Sequence, residues 1–102
     1  MDIIIQSLGF TASDNLKSFI EEELQKLFHK DDMIVRANVT MYKASDSIPD
    51  NNYCEIRLEV PGNDLFAKRS SDSFEKAVLD TSEVIHKQLR KMKEKLTDHH
   101  KR

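Results

Sequence analysis

Residues 35–42 and 53–60 alternate apolar and polar side chains, and this alternation restricts the possible folds more than any other feature of the chain. In the first segment Val35, Ala37, Val39 and Met41 alternate with Arg36, Asn38, Thr40 and Tyr42. In the second, Cys54, Ile56, Leu58 and Val60 alternate with Tyr53, Glu55, Arg57 and Glu59. Successive side chains of a strand point to opposite faces, so each segment predicts a strand with one buried and one wet face. Antiparallel strands of this kind need cover on one side only.

Two helical segments supply that cover. Ser13 has the chemistry of an N-cap, and Leu16, Phe19, Ile20, Leu24, Leu27 and Phe28 follow at helical spacing. This helix is expected to end near His29, before Asp31 and Asp32. A second helix is expected over 73–98, with Asp72 as cap and Glu75 completing a capping box. Phe74, Ala77, Val78, Thr81, Ile85, Leu89, Met92 and Leu96 form its apolar stripe. Short strands are expected over 3–6 and 65–69, a loop over 44–52, and a turn at Pro61-Gly62-Asn63-Asp64. The order is β-α-β-β-β-α. The predicted fold is α+β, a four-stranded sheet with both helices on one face.

A chain of 102 residues has the length of one domain, taken as 1–102 with a basic, frayed tail at 97–102. The longest apolar runs are three residues, too short for a membrane span or a signal-peptide core. Cys54 is the single cysteine, so no internal disulfide forms and a reducing, cytosolic setting fits. Its place in the apolar register reads as a small core residue rather than a nucleophile. His29, His86, His99 and His100 have no cysteine spacing that makes a zinc site. Glycine is too scarce for a phosphate-cradling loop, and the serines fall mainly in turns and caps. The chain is therefore read as a non-enzyme with no catalytic residues, metal, cofactor or small-molecule substrate.

Charge is distributed unevenly. Residues 1–67 carry 6 basic and 12 acidic side chains, whereas residues 68–102 carry 10 and 6, although the whole chain has a formal charge of −2. On a helical wheel Lys87 and Lys91 point away from Ile85 and Leu89, Arg90 and Lys95 flank them, and Lys93 lies nearer the apolar edge. Lys76 lies on the same outward arc, earlier in the helix. A basic helix end is favoured by the helix macrodipole, so an ordinary solvated face is one reading. The other is a ridge for a polyanion, where each cation that neutralises a phosphate releases counterions. Tyr42 and Tyr53 lie on the sheet rather than among the basic residues. Nucleic-acid contact would therefore be mainly to backbone and shape, as with structured RNA. Tyr42, Tyr53 and Arg57 on the opposite sheet face are either plain strand surface or a docking face.

Two stretches carry a family resemblance: IIIQSLGFTASDNLKSFIEEELQKL and FEKAVLDTSEVIHKQLRKMKEKL. The second fits the form A-[IV], a span, then QL-x-K-x-K-x-K-L, at Ala77, Val78, Gln88, Leu89, Lys91, Lys93, Lys95 and Leu96. With the order of elements, these segments resemble the short ribosome hibernation factors, or ribosome-associated inhibitors, also called sigma-factor modulators. The resemblance implies a domain like a double-stranded-RNA-binding fold. It implies binding to the small ribosomal subunit and its 16S-type rRNA, over the mRNA and tRNA sites, so that translation stops and idle ribosomes are preserved. It also implies a cytoplasmic protein, monomeric off the ribosome, without the ribosome-pairing domain of longer members.

Carried over by position, Lys87, Lys91, Lys93 and Lys95 match the family's RNA-facing helix, and Lys17 and Lys26 match basic positions on the first. Arg90 and Lys76 join them on helical geometry. Glu23 stands where the family usually has lysine, Glu75 stands where tyrosine is common, and Glu21-Glu22-Glu23 makes the first helix acidic. A second reading therefore stands beside the first: a protein-interaction module of the same fold that has lost RNA binding.

Overall fold

A computed structural model describes residues 1–29, 31–44 and 49–100, with side chains described as far as Lys95. The elements are β1 (Asp2–Leu8), α1 (Asp14–Phe28), β2 (Arg36–Lys43), β3 (Asn52–Glu59), β4 (Leu65–Ser71) and α2 (Phe74–His100). The sheet has four strands in the order β1-β2-β3-β4. β2, β3 and β4 are successively antiparallel, whereas β1 pairs parallel with β2, Ile3 opposite Ala37 and Ile5 opposite Val39. The helical crossover through α1 returns the chain to the end of the sheet where β1 began, which imposes the parallel pairing.

The alternation predicted for the central strands appears as burial. Ala37, Val39 and Met41 from β2, and Cys54, Ile56 and Leu58 from β3, point into the core. Ile20, Leu24 and Phe28 of α1 and Ala77, Val78, Ile85 and Leu89 of α2 close over them. Ile20, Leu24 and Phe28 are all but inaccessible to water. Burial of side chains of this size stabilises the fold by roughly 1.5–3 kcal/mol each. α2 lies over β3 and β4 and against α1, so both helices share one face of the sheet.

Ser13 caps α1: its Oγ accepts the Leu16 N–H at 3.1 Å. α2 departs from the expected cap. Ser73, not Asp72, accepts the Lys76 N–H through its Oγ at 3.2 Å, while Asp72 Oδ1 accepts from the Ser71 hydroxyl. The capping hydroxyl must sit just before the first helical residue, here Phe74, and Asp72 is one residue too early. Val35 also departs from expectation. It is 58% exposed and Ile34 takes the buried position, because extended geometry begins only at Arg36 and the alternation slips by one before it. β1 and β4 run longer than their sequence pattern indicated. Gly62, in the turn before β4, has φ +93, a conformation that L side chains rarely adopt.

α2 has 27 residues, about 40 Å at 1.5 Å per residue. The strands span 7 or 8 residues, about 25 Å, so the helix outruns the sheet that anchors it. The side chain of Leu96 and most of the tail expected at 97–102 lie outside the described residues, although the backbone is helical through His100.

Candidate nucleic-acid interface

The phase of α2 fixes where its charges lie. With Ala77, Val78, Thr81, Ile85 and Leu89 buried, the side chains of Lys76, Lys87, Arg90, Lys91, Lys93 and Lys95 are all exposed. Ser82 is buried as well, its hydroxyl donating to Leu79 O at 3.0 Å, a position the apolar stripe did not signal. The Thr81 hydroxyl lies 2.6 Å from Ala77 O and 3.2 Å from Cys54 O, holding the helix to β3 without charge.

The cations group into three adjoining hollows along α2. Lys26, Arg90 and Lys93 line a cleft of about 250 Å³ between the end of α1 and α2, together with Leu27, His29, Asp31, His86 and Leu89. Lys87, Arg90 and Lys91 surround a second, with Glu94. Lys91 and Lys95 flank a third beside Leu65, Gln88 and Met92. Arg90 belongs to the first and second and Lys91 to the second and third, so the positive surface is continuous from α1 across to β4. Among the hollows described, none includes Lys17 or Lys76. Lys17 lies in the first turns of α1, and Lys76 lies about 16 Å along the helix axis before Lys87.

Ion pairing divides the set. Lys26 Nζ is 3.4 Å from Glu23 Oε1, and Lys93 Nζ is 3.0 Å from Asp31 Oδ2. Among the described residues, Lys87, Arg90, Lys91 and Lys95 form no ion pair. The strongest unspent positive charge therefore lies on the outward ridge of α2 rather than against α1.

The opposite sheet face carries a cross-strand network of aromatic and charged groups. Tyr42 and Tyr53 stack with centroids 5.3 Å apart and an interplanar angle of 2°. Lys68 Nζ stands 5.9 and 5.3 Å from their centroids, and the Tyr42 hydroxyl donates to Glu55 Oε2 at 2.7 Å. That bond to Glu55, then burial, raises the Tyr42 pKa, and the contact with Tyr42 raises that of Lys68. Nearby, Asn38 donates to Glu59 at 2.7 Å, and Arg36 lies 3.3 Å from the same carboxylate. The Asn38 bond is the main cause that lowers the Glu59 pKa. Most of these groups bond one another across the strands, although the buried Arg36 Nε has no hydrogen-bond partner among the described residues.

Cys54 is fully buried, and burial pushes its thiol up to about 12. A thiol held in that form is a core residue and not a nucleophile. Among the described residues, no helix is long and apolar enough to cross a membrane.

Sequence reasoning missed His29 and His86 as partners of the cleft. The spacing of His86, Arg90 and Lys93, at i, i+4 and i+7, was the available signal for one of them. His29 comes into the cleft only through the packing of α1 on α2.

Comparison with known proteins bears on this arrangement. The family model described as sigma 54 modulation protein / S30EA ribosomal protein matches residues 3–97. The chain belongs to that family. Two solved structures are similar in fold. One is a ribosomal subunit interface protein from Coxiella burnetii, 22% identical with a TM-score of 0.79, covering 91% of this chain and 98% of that one. The other is the N-terminal domain of Protein Y from Thermus thermophilus, 17% identical with a TM-score of 0.76, covering 90% and 99%. No curated protein matches the chain. The match spans both helices and all four strands, so the ridge on α2 lies wholly within the part of the chain that defines this ribosome-associated family.

Proposed function

We propose that this chain is a cytoplasmic translation inhibitor and hibernation factor that binds the small ribosomal subunit through its 16S-type rRNA near the mRNA and tRNA sites. The observation that carries the proposal is the cationic ridge of Lys87, Arg90, Lys91 and Lys95, which form no ion pair among the described residues, on a helix whose other side is buried in the core. Phosphates spaced along an RNA strand fit a row of flexible ammonium groups and a guanidinium, and their neutralisation releases counterions. Lys93 and Lys26 lie at the edge of the same surface. Lys17 and Lys76 lie apart from this surface, near the starts of the two helices, and would serve as separate contacts. Family membership and the names of the two similar structures support a ribosomal partner. The chain acts as one RNA-binding domain, monomeric away from the ribosome.

A second reading has one observation in its favour. The Glu23–Lys26 pair offsets charge where α1 would meet RNA, which suits a protein-interaction module of the same fold. The test is a variant with Lys87, Lys91 and Lys95 all changed to Glu. Co-sedimentation with small subunits and inhibition of an in vitro translation reaction should both be lost, with the circular dichroism spectrum unchanged. Retention of both activities by a folded triple variant contradicts the proposal.

A further inference from the structure

The cleft between α1 and α2 holds five nitrogen bases and one carboxylate. Lys26 and His29 come from the last turn and cap of α1, Asp31 from the turn that follows, and His86, Arg90 and Lys93 from α2. Glu23 pairs with Lys26 from the preceding turn of α1, and Glu83 lies three residues before His86 on α2. The Asp31 side chain is only 8% exposed, so a carboxylate is already accommodated here against Lys93. His29 Nδ1 lies 3.1 Å from Gln25 O. A carbonyl only accepts, so Nδ1 is the donor in that contact and Nε2 is left without a role in it. The His86 ring stands edge-on to Phe28, with centroids 5.6 Å apart and 69° between planes.

Histidines and the flanking Glu83 aside, the named side chains around the cleft carry three positive charges against two negative ones. Lys26, Arg90 and Lys93 oppose Asp31 and Glu23, and the last carbonyls of α1 add partial negative charge. Two protonations change that balance decisively. Histidine is the side chain whose charge changes between about pH 5 and 8.

We propose that this cleft is a pH-gated phosphodiester site, in which His29 and His86 join Lys26, Arg90 and Lys93 around one backbone phosphate as the medium acidifies. The sign follows from linkage. Acidification adds positive charge to the cleft, an anion bound there favours the protonated rings, and each event strengthens the other. The site deepens the RNA-binding reading by adding a regulated contact beside the pH-insensitive ridge, and it rests on that reading for its natural ligand alone.

The probe is a short oligouridylate without terminal phosphates, because phosphodiesters keep their charge across this range and any pH dependence then belongs to the protein. Ring resonances of His29 and His86 in the wild-type chain are followed during titration at about pH 6 and about pH 8. Both should move to saturation, with affinity about fivefold or more tighter at the lower pH. His29→Gln/His86→Gln should lose that dependence, and His99→Gln/His100→Gln should keep it. Ring signals that stay still, an affinity equal at both pH values, or a dependence that disappears with His99 and His100 instead would each overturn the proposal. Small-subunit binding is measured in parallel. If it occurs with unmoved histidine signals, the cleft fails and the ribosome reading stands; if the cleft responds as stated and no ribosome binding occurs, the reverse holds.

Discussion

Lys93 reaches from α2 to the turn after α1, where its Nζ lies 3.0 Å from Asp31 Oδ2, across 62 positions of sequence. Lys93 is half exposed, but Asp31 is nearly buried, and its other oxygen accepts the Met33 N–H at 3.1 Å. The pair ties the distal part of α2 to the exit of α1. It also means that Lys93 brings less unspent charge to a polyanion than its neighbours on the ridge.

Lys93→Ala should therefore weaken small-subunit binding less than Lys91→Ala. Loss of Lys91 should reduce the slope of log affinity against log salt by about one unit, as expected for one phosphate contact, and loss of Lys93 by clearly less. In stability the order reverses. Lys93→Ala removes a partner from a nearly buried carboxylate and should cost about 1 kcal/mol in urea unfolding, whereas Lys91→Ala should be near neutral. Equal slopes for the two variants would show that Asp31 does not offset Lys93.

The start of α2 offers a separate check. Ser73→Ala removes the hydroxyl that accepts the Lys76 N–H and should destabilise the chain by about 1 kcal/mol. Asp72→Ala, one residue earlier, should cost less than half as much by the same unfolding measurement. The opposite ranking would return the cap to Asp72.

How far the sequence carries is visible in these residues. Period-two alternation identified the inward faces of β2 and β3, because two packed helices on one side make burial obey the pleat. The helical stripe located α2 and its outward lysines for the same reason. Val35 and Asp72 were misplaced by one position each, since alternation and capping patterns are one-dimensional and do not fix where the backbone changes geometry. The Lys93–Asp31 pair, the meeting of His29 with His86, and the Tyr42–Tyr53 stack were not legible. Each depends on how separate elements pack, and no local spacing encodes that.

Cys54 links burial to pH. Its thiol is raised from 9.0 to about 12 because burial penalises the thiolate, so the folded state holds the neutral form more strongly than the unfolded chain does. The stabilisation is fully present below pH 9.0 and is lost as pH rises from there toward about 12. Urea midpoints should fall across that window for the wild-type chain and fall less for Cys54→Ala. At pH near 8, a thiol reagent should leave the folded chain unlabelled and react only after denaturant is added. Rapid labelling of the folded chain would contradict the burial of the sulfur.

The central claim is that phosphates of ribosomal RNA are held by the outward ridge of α2, and the salt dependence of small-subunit binding tests it most directly. Affinity measured by sedimentation over a range of monovalent salt should fall linearly on logarithmic axes, with a slope of about −3 or steeper for the ridge's four cations. Limited ribonuclease treatment of the subunits should release the protein. Binding that is flat across the salt series and survives ribonuclease would contradict the account and favour a protein partner instead.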